Sequence, residues 1–337
     1  MTSIQSPPFA TPSRPDSNYG TLLADVRAAG LLNRSMARYL PRVGLIAVLA
    51  AVGGSALLWL GHSRWQLAVA AYSGLVLAQL AFLGHDAGHQ QISRSRRRND
   101  AIGTLLAALC VGLSYHWWVD KHNRHHRHPN QVGSDPDIER GVLAWTDEQA
   151  GRQRGVLRLV ARHQAGLFFP LLLLEGWNLH VASVFALCRK DRHRMVEGML
   201  LVVHVAVGLT VLLLVLSPLR VLEFVAIQQS VLGLYIGVSF APNHKGMPII
   251  DAGARLSFVQ RQVLTSRNIA GGRVIAMLFG GLNYQIEHHL FPSMPSRNLA
   301  RCQPIVRDFC VARSLPYTHT GLLHSYSLSL RSLARSP

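Results

Sequence analysis

Apolar positions in this chain gather into long unbroken stretches separated by short polar or basic links. Residues 43–61 are apolar throughout, and residues 66–84 repeat the pattern after the polar link 62–64. As helices, both are long enough to cross a hydrocarbon core of about 30 Å. Residues 198–216 and 219–240 form a second such pair, joined by Ser217-Pro218. The pattern predicts an all-α integral membrane protein with four transmembrane helices in two hairpins. Residues 101–114 are apolar but too short to span comfortably, which predicts a half-inserted or buried helix. Residues 156–188 mix an apolar core, 167–174, with Glu175, Asn178 and His180. Residues 241–337 would form a helical cap. In it, 269–279 reads as an apolar helix against the membrane and 298–313 as an amphipathic one. The expected division is a flexible tail and interfacial helix over 1–42, a membrane domain over 43–320 and a C-terminal tail over 321–337.

Composition supports a membrane setting. Of 337 residues, 49% are hydrophobic and only 15% charged, against about 25% charged in ordinary soluble domains. The net charge of +17 comes almost wholly from arginine, since Lys121, Lys190 and Lys245 are the lysines. Basic clusters flank the apolar pairs at 94–98 and 189–194. The tendency of basic loops to stay on the cytoplasmic side accounts for them better than nucleic-acid binding does. Both hairpins then open to the cytoplasm. Cys110, Cys188, Cys302 and Cys310 form no CxxC pair, so no disulfide framework, iron–sulfur motif or thiolate zinc site is expected. Residues 1–18 are rich in Pro and Ser and read as a flexible cytoplasmic tail rather than a signal peptide.

The candidate chemistry lies in the histidines. His85 and His89 stand at i and i+4, and His122, His125 and His126 at i, i+3 and i+4. Gln285, His288 and His289 repeat the second spacing with glutamine in the first slot. On a helix each set shares one face, and imidazole suits Fe, Zn, Cu or Ni. His244 follows the fourth span and faces the same side. Eight histidines exceed the needs of one metal, so two are implied. A shared site also decides the middle segment. If 156–188 crossed the membrane, Gln285 and its neighbours would land opposite the other boxes, so 156–188 is read as interfacial or re-entrant. Gln285 is a weak ligand or an outer group. Asp86, Asn123, Asp135, Asp137 and Glu287 are candidates to accept the second ring N–H of ligand histidines. His128 is off the spacing. His62, His180 and His204 read as packing or hydrogen-bonding residues, and His116, His163, His193, His319 and His324 as surface or loop residues. Trp117 and Trp118 suit a tunnel wall or an interfacial aromatic belt.

These boxes resemble those of the integral-membrane fatty acid desaturases. The run Gly281-Leu282-Asn283-Tyr284-Gln285-Ile286-Glu287-His288-His289-Leu290-Phe291-Pro292 is similar to the bacterial and front-end branch, whose third box begins with Gln. The likeness covers about residues 81–320. It implies a non-haem di-iron centre held by His85, His89, His122, His125, His126, His288 and His289, with His244 as an additional ligand and Asn243 beside it in the outer set. It also implies O2 as co-substrate, two electrons per turnover, and loss of two hydrogens from adjacent carbons of a fatty acyl chain. That chain would be linked to CoA, a carrier protein or a lipid. Many front-end members carry a fused haem-binding domain, for which the first forty residues here are too short. The expected donor is therefore separate, such as a ferredoxin or a cytochrome with its reductase. The expected location is a membrane, the plasma membrane if the chain is bacterial, with the site on its cytoplasmic side. Two readings compete: a membrane di-iron hydroxylase of lipid, alkane or carotenoid, and a metal-binding or transport protein. The glutamine-led third box favours desaturation. The scarcity of charge inside the spans counts against transport.

Overall fold

A computed structural model of the chain describes residues 17–139, 141–188 and 193–335. Most of the expected tail over 1–18, and residues 189–192 of the basic stretch before the third span, lie outside the described residues. In chain order the helices begin with α1 (Ser17–Ala28), α2 (Leu40–Leu60) and α3 (Gln66–Gly88). α4 (Arg96–Thr104) continues as a π-helical stretch, Leu105–Val111, and α5 (Tyr115–Arg127) follows. Then come α6 (Asp147–Arg152), α7 (Gly155–Arg162), α8 (Gln164–Leu172), α9 (Glu175–Leu187), α10 (Arg194–Val215) and α11 (Pro218–His244). The remainder comprises α12 (Phe258–Thr265), β1 (Asn268–Ile269), α13 (Gly272–Leu278), α14 (Gln285–Leu290), α15 (Ser296–Val311), β2 (His319–Thr320) and α16 (Leu322–Arg335). β1 and β2 pair in parallel.

Four helices have the length and apolarity to cross a membrane: Met36–Leu60, Gln66–Gly88, Met195–Val215 and Pro218–His244. They are the four predicted spans in their two hairpins. Local sequence explains their ends. Proline occupies the first turn of α2 and of α11, where its missing N–H costs no helical bond. Gln66 closes the first hairpin by donating to the Leu57 and Gly61 carbonyls, both at 2.8 Å. α2 and α10 keep apolar side chains such as Leu45, Val52, Val202 and Leu214 exposed. A soluble surface rarely carries so much apolar area, whereas lipid covers it without penalty.

α3 and α11 form the centre and α9 lies across α11. Small residues allow these helices to approach closely. A methyl group added at Gly176 would come within 2.3 Å of the Gln229 carbonyl oxygen, and one at Gly233 within 2.3 Å of the Gly176 nitrogen. The short apolar segment expected over 101–114 as a half-inserted or buried helix forms the end of α4 and the π-helical stretch, and the pair Arg96–Val111 and Tyr115–Arg127 is bent by 113°. α8 and α9 are bent by 69° at their junction, the shape of a broken or re-entrant segment. Non-helical backbone away from water needs hydrogen-bond partners within the protein, and polar side chains of α9 and α10 supply them. The His204 ring donates to the Leu109 carbonyl (2.9 Å), and Ser183 Oγ accepts from the Ser114 N–H (3.0 Å). Ser114 Oγ and His116 Nδ1 both reach Glu197, at 2.6 and 2.8 Å. His180 Nδ1 donates to the Gly176 carbonyl at 2.8 Å, so His180 and His204 are both hydrogen-bonding residues, as expected. His116, expected at the surface, instead ties α5 to α10.

The cap has its own core, in which Leu22 and Val26 of α1 meet Val263, Ile286, Leu290, Met294, Leu299 and Val306. The helix expected at the membrane surface therefore buries its apolar face in the cap. The apolar helix expected over 269–279 is shorter, because Ile269 is in β1 and Gly271 and Gly272 adopt positive φ. Its Val274, Met277 and Leu278 are exposed. The stretch expected as a C-terminal tail is α16, with Ser325, Ser329 and Leu333 buried. It packs on α8 and α11.

Candidate metal centre

The histidine boxes sit at the ends of the central helices. The last turn of α3 carries His85, and His89 follows as the residue that ends it. α5 presents His122, His125 and His126 from one face, α11 ends on His244, and the short α14 holds Gln285, His288 and His289. All eight histidines and Gln285 are buried. They fall into two groups. His85, His89, His122 and His288 bring one ligand atom each to within 4.8 Å of one another, and His125, His244 and His289 do the same. His126 stands between the groups. Its Nε2 is 3.1 Å from that of His122, and its ring stacks on His289 with centroids 4.1 Å apart.

Outer partners set the direction of several rings. His125 Nδ1 lies 3.0 Å from both carboxylate oxygens of Asp135. His244 Nδ1 donates to the Thr265 carbonyl and His289 Nδ1 to Gln262 Oε1, both at 2.9 Å. Each bond leaves Nε2 facing the centre, the arrangement by which proteins orient metal-bound imidazoles. Gln285 Nε2 is 2.9 Å from His244 Nε2, and Asn243 donates to Gln285 Oε1 at 3.3 Å.

Other candidates turn away. Glu287 accepts from Tyr317 Oη and Asn268 Nδ2, both at 2.7 Å, and its carboxyl is pushed up to about 7 by burial against those bonds. Asp86 Oδ2 binds Arg42 (3.1 Å) and Ser296 Oγ (2.8 Å), while its Oδ1 stays 3.6 Å from His85 Nδ1, beyond hydrogen-bond distance. Asp137 binds Lys121 at 2.6 Å and lies 3.6 Å from His125. Asn123 makes no hydrogen bond to a histidine among the described residues. His128 is exposed and bonded to Gln131 and Arg261. Gln262 and Thr265 were missed at the sequence level, because a buried Gln looks like an exposed one and a backbone carbonyl carries no residue signature.

The donor set suits a metal. The Nε2 atoms of His85, His89, His288 and His289 are buried with no hydrogen-bond partner among the described residues. Leaving such atoms unpaired costs on the order of 1–3 kcal/mol each, and coordination would satisfy them. Burial first, and neighbouring imidazoles second, hold His122, His126, His288 and His289 well below the ordinary imidazole pKa. They are therefore neutral at pH 7, the form that binds metal. Neither group contains a thiolate or carboxylate. A cavity of about 890 Å³ opens onto the same residues, lined by His85, His122, His125, His244 and Gln285. Most of its remaining wall is apolar, including Phe168, Leu172, Leu179, Ile236 and Phe240. Trp118 also lines it and stacks on His122 with centroids 4.6 Å apart. Trp118, not Trp117, is the wall residue.

Fold and site together define an all-α membrane protein with a histidine-walled centre able to hold metal. Residues 62–321 match the family model described as fatty acid desaturase, and the chain belongs to that family. It is 32% identical over 293 residues to the Delta(6)-fatty-acid desaturase fat-3 of Caenorhabditis elegans, covering 82% of this chain and 66% of that protein. It is 29% identical over 279 residues to the Acyl-lipid (9-3)-desaturase of Physcomitrium patens, covering 79% and 52%. It is 27% identical over 333 residues to the Delta(8)-fatty-acid desaturase of Helianthus annuus, covering 94% and 72%. The chain thus spans about two thirds and about half of the length of the first two relatives.

Proposed function

We propose that this chain inserts a cis double bond into a fatty acyl chain, using O2 and two electrons from a separate donor. The observation that carries the reading is the meeting of two buried histidine groups with a largely apolar cavity of about 890 Å³. That volume lies in the range that encloses a small ligand. In balance, two adjacent methylenes, O2, two electrons and two protons give one alkene and two waters. His85, His89, His122, His125, His126, His244, His288 and His289 would hold two iron ions, with Gln285 as a weak ligand or outer group. Asp135, Gln262 and the Thr265 carbonyl would orient rings. Bound there, the irons would supply the oxidising power that an unactivated methylene C–H demands. The rest falls to the chain itself. The apolar wall receives the acyl chain, and Trp118 and Phe240 keep water from the reacting carbons and fix their approach. Exposed Arg124 and Arg127 flank the α5 histidines and suit an acidic electron donor. In our reading the site faces the cytoplasm, and the acyl group rides on CoA, a carrier protein or a lipid. The relatives' names specify different double-bond positions.

The test is co-expression with a ferredoxin system beside a His125→Ala control, followed by mass spectrometry of the host fatty acids. A new acid lighter by two hydrogens, absent in the control, is expected. A product heavier by one oxygen would replace this reading with hydroxylation. No new product from an iron-loaded protein supplied with donor and a range of acyl lengths would sink it.

A further inference from the structure

The last turn of α11 carries Asn243 and His244, and one helical hydrogen bond is missing from it. Pro242 lacks an N–H, so the Val238 carbonyl loses its helical donor. Tyr326 Oη of α16 donates to that carbonyl instead, at 2.6 Å. The final carbonyls of any helix also lack donors, and here Arg267 takes those of Pro242, Asn243 and Lys245. Arg267 Nε donates to the Pro242 carbonyl at 2.9 Å, and its Nη2 reaches the Pro242 and Lys245 carbonyls at 2.5 and 2.7 Å. The Arg267 backbone N–H donates to the Asn243 carbonyl at 2.9 Å. Ser329 Oγ adds a bond to the Lys245 carbonyl at 2.9 Å. The carbonyls of Val238, Pro242, Asn243 and Lys245 are thus held from outside the helix, and that of His244 accepts from Asn130 Nδ2 at 3.1 Å.

Arg267 is 0% exposed. Among the described residues no carboxylate lies within ion-pair distance of it; its partners are carbonyl and hydroxyl oxygens. A buried cation without a counter-ion is costly. What faces this one is the negative end of a 27-residue helix. A neutral side chain would have served to fill the space, so the charge points to a demand for holding those carbonyls firmly.

We propose that Arg267, with Tyr326 and Ser329 of α16, is a positioning clasp for the three-imidazole group, holding His244 where it meets His125 and His289. The clasp touches no histidine ring. It sets the backbone from which His244 projects, and the Thr265 carbonyl, two residues before Arg267, orients the ring itself. The two groups are therefore supported differently. His85, His89, His122 and His288 stand on α3, α5 and α14, to which the clasp side chains make no hydrogen bond among the described residues. The proposal rests on the reading that both groups hold metal, and it predicts that damage to the clasp empties one group and spares the other.

The test uses the full chain purified in detergent, with Co2+ as the probe, since its visible absorption reports coordination. Wild type, Arg267→Lys and Tyr326→Phe are titrated, and helical content is followed in parallel. Wild type should bind two ions. Arg267→Lys should bind about one, with the spectrum of the four-histidine group retained. Tyr326→Phe, a milder change that guards against a folding failure, should bind the second ion about 10-fold more weakly at unchanged helical content. Two ions bound with wild-type affinity in Tyr326→Phe, or equal weakening of both sites in a folded variant, would overturn the clasp. Wild type that binds no ion would instead remove the metal reading on which it stands.

Discussion

His288 lies in the four-imidazole group, and neither ring nitrogen has a hydrogen-bond partner among the described residues. His288→Ala should abolish activity while leaving membrane insertion and helical content nearly unchanged, because the ring makes no hydrogen bond that holds the fold. Activity retained at the wild-type level would remove His288 from the site. Gln262 is the contrasting case. It accepts from His289 Nδ1 and donates to the His126 carbonyl at 3.0 Å, so it braces two histidines at once. Gln262→Leu should weaken metal binding by roughly 10- to 100-fold, as loss of an outer partner typically does; isothermal titration with Co2+ reads this directly. Affinity equal to wild type would show that packing alone orients His289. The histidines themselves were legible in the sequence, because i, i+3 and i+4 spacing is a local property. Their braces were legible only in part. Asp135 was anticipated as an acceptor for a ligand ring, whereas Glu287, next to His288 in the chain, faces Tyr317 and Asn268. Neighbours on a helix point in different directions, so adjacency in sequence does not place a carboxylate beside a ring.

Among the elements, the bent segments are the ones most dependent on tertiary partners. The turn from the π-helical stretch into α5 rests on Glu197, which accepts from Ser114 Oγ and from the His116 N–H and lies 2.8 Å from His116 Nδ1. Glu197→Leu leaves those groups without partners and should destabilise the protein by roughly 1–3 kcal/mol, read as a fall in Tm in detergent. An unchanged Tm would mean that water takes the place of the carboxylate. At the crossing of α9 and α11, Gly176 and Gly233 leave no room for a side chain. Gly233→Leu should lower the yield of folded protein sharply, since overpacking costs on the order of 1–3 kcal/mol or more. Normal yield and stability would show that the two backbones can separate. The four spans were visible in the sequence, because length and apolarity are enough to define a membrane helix. The bends were visible only as stretches too short or too polar to span.

For the whole molecule, the cavity ties the membrane half to the histidine groups. Gly237 and Leu172 both line it, and a methyl group at Gly237 would come within 2.5 Å of the Leu172 side chain. Gly237→Leu should therefore shorten the space and shift products towards shorter acyl chains or a moved double bond, measured by mass spectrometry of the fatty acids. An unaltered product profile would remove this cavity as the acyl site. Metal binding should also stabilise the fold as a whole. A ligand held only by the folded state adds about 2.7 kcal/mol at one hundred times its Kd, so chelation should lower Tm and re-addition of iron should restore it. A Tm indifferent to chelator would mean that the histidine groups hold no metal.

Sequence alone determined the membrane spans, the histidine boxes and their common face. These depend on composition and spacing within one element, where the periodicity of the helix does the work. Tertiary structure decided the rest. It divided eight histidines into groups of four and three with His126 between, buried α1 in the cap, made a helix of the stretch that read as a tail, and placed Arg267 at the end of α11. Each of these joins residues far apart in the chain, and no local pattern encodes which distant carbonyl a buried arginine or glutamine will meet.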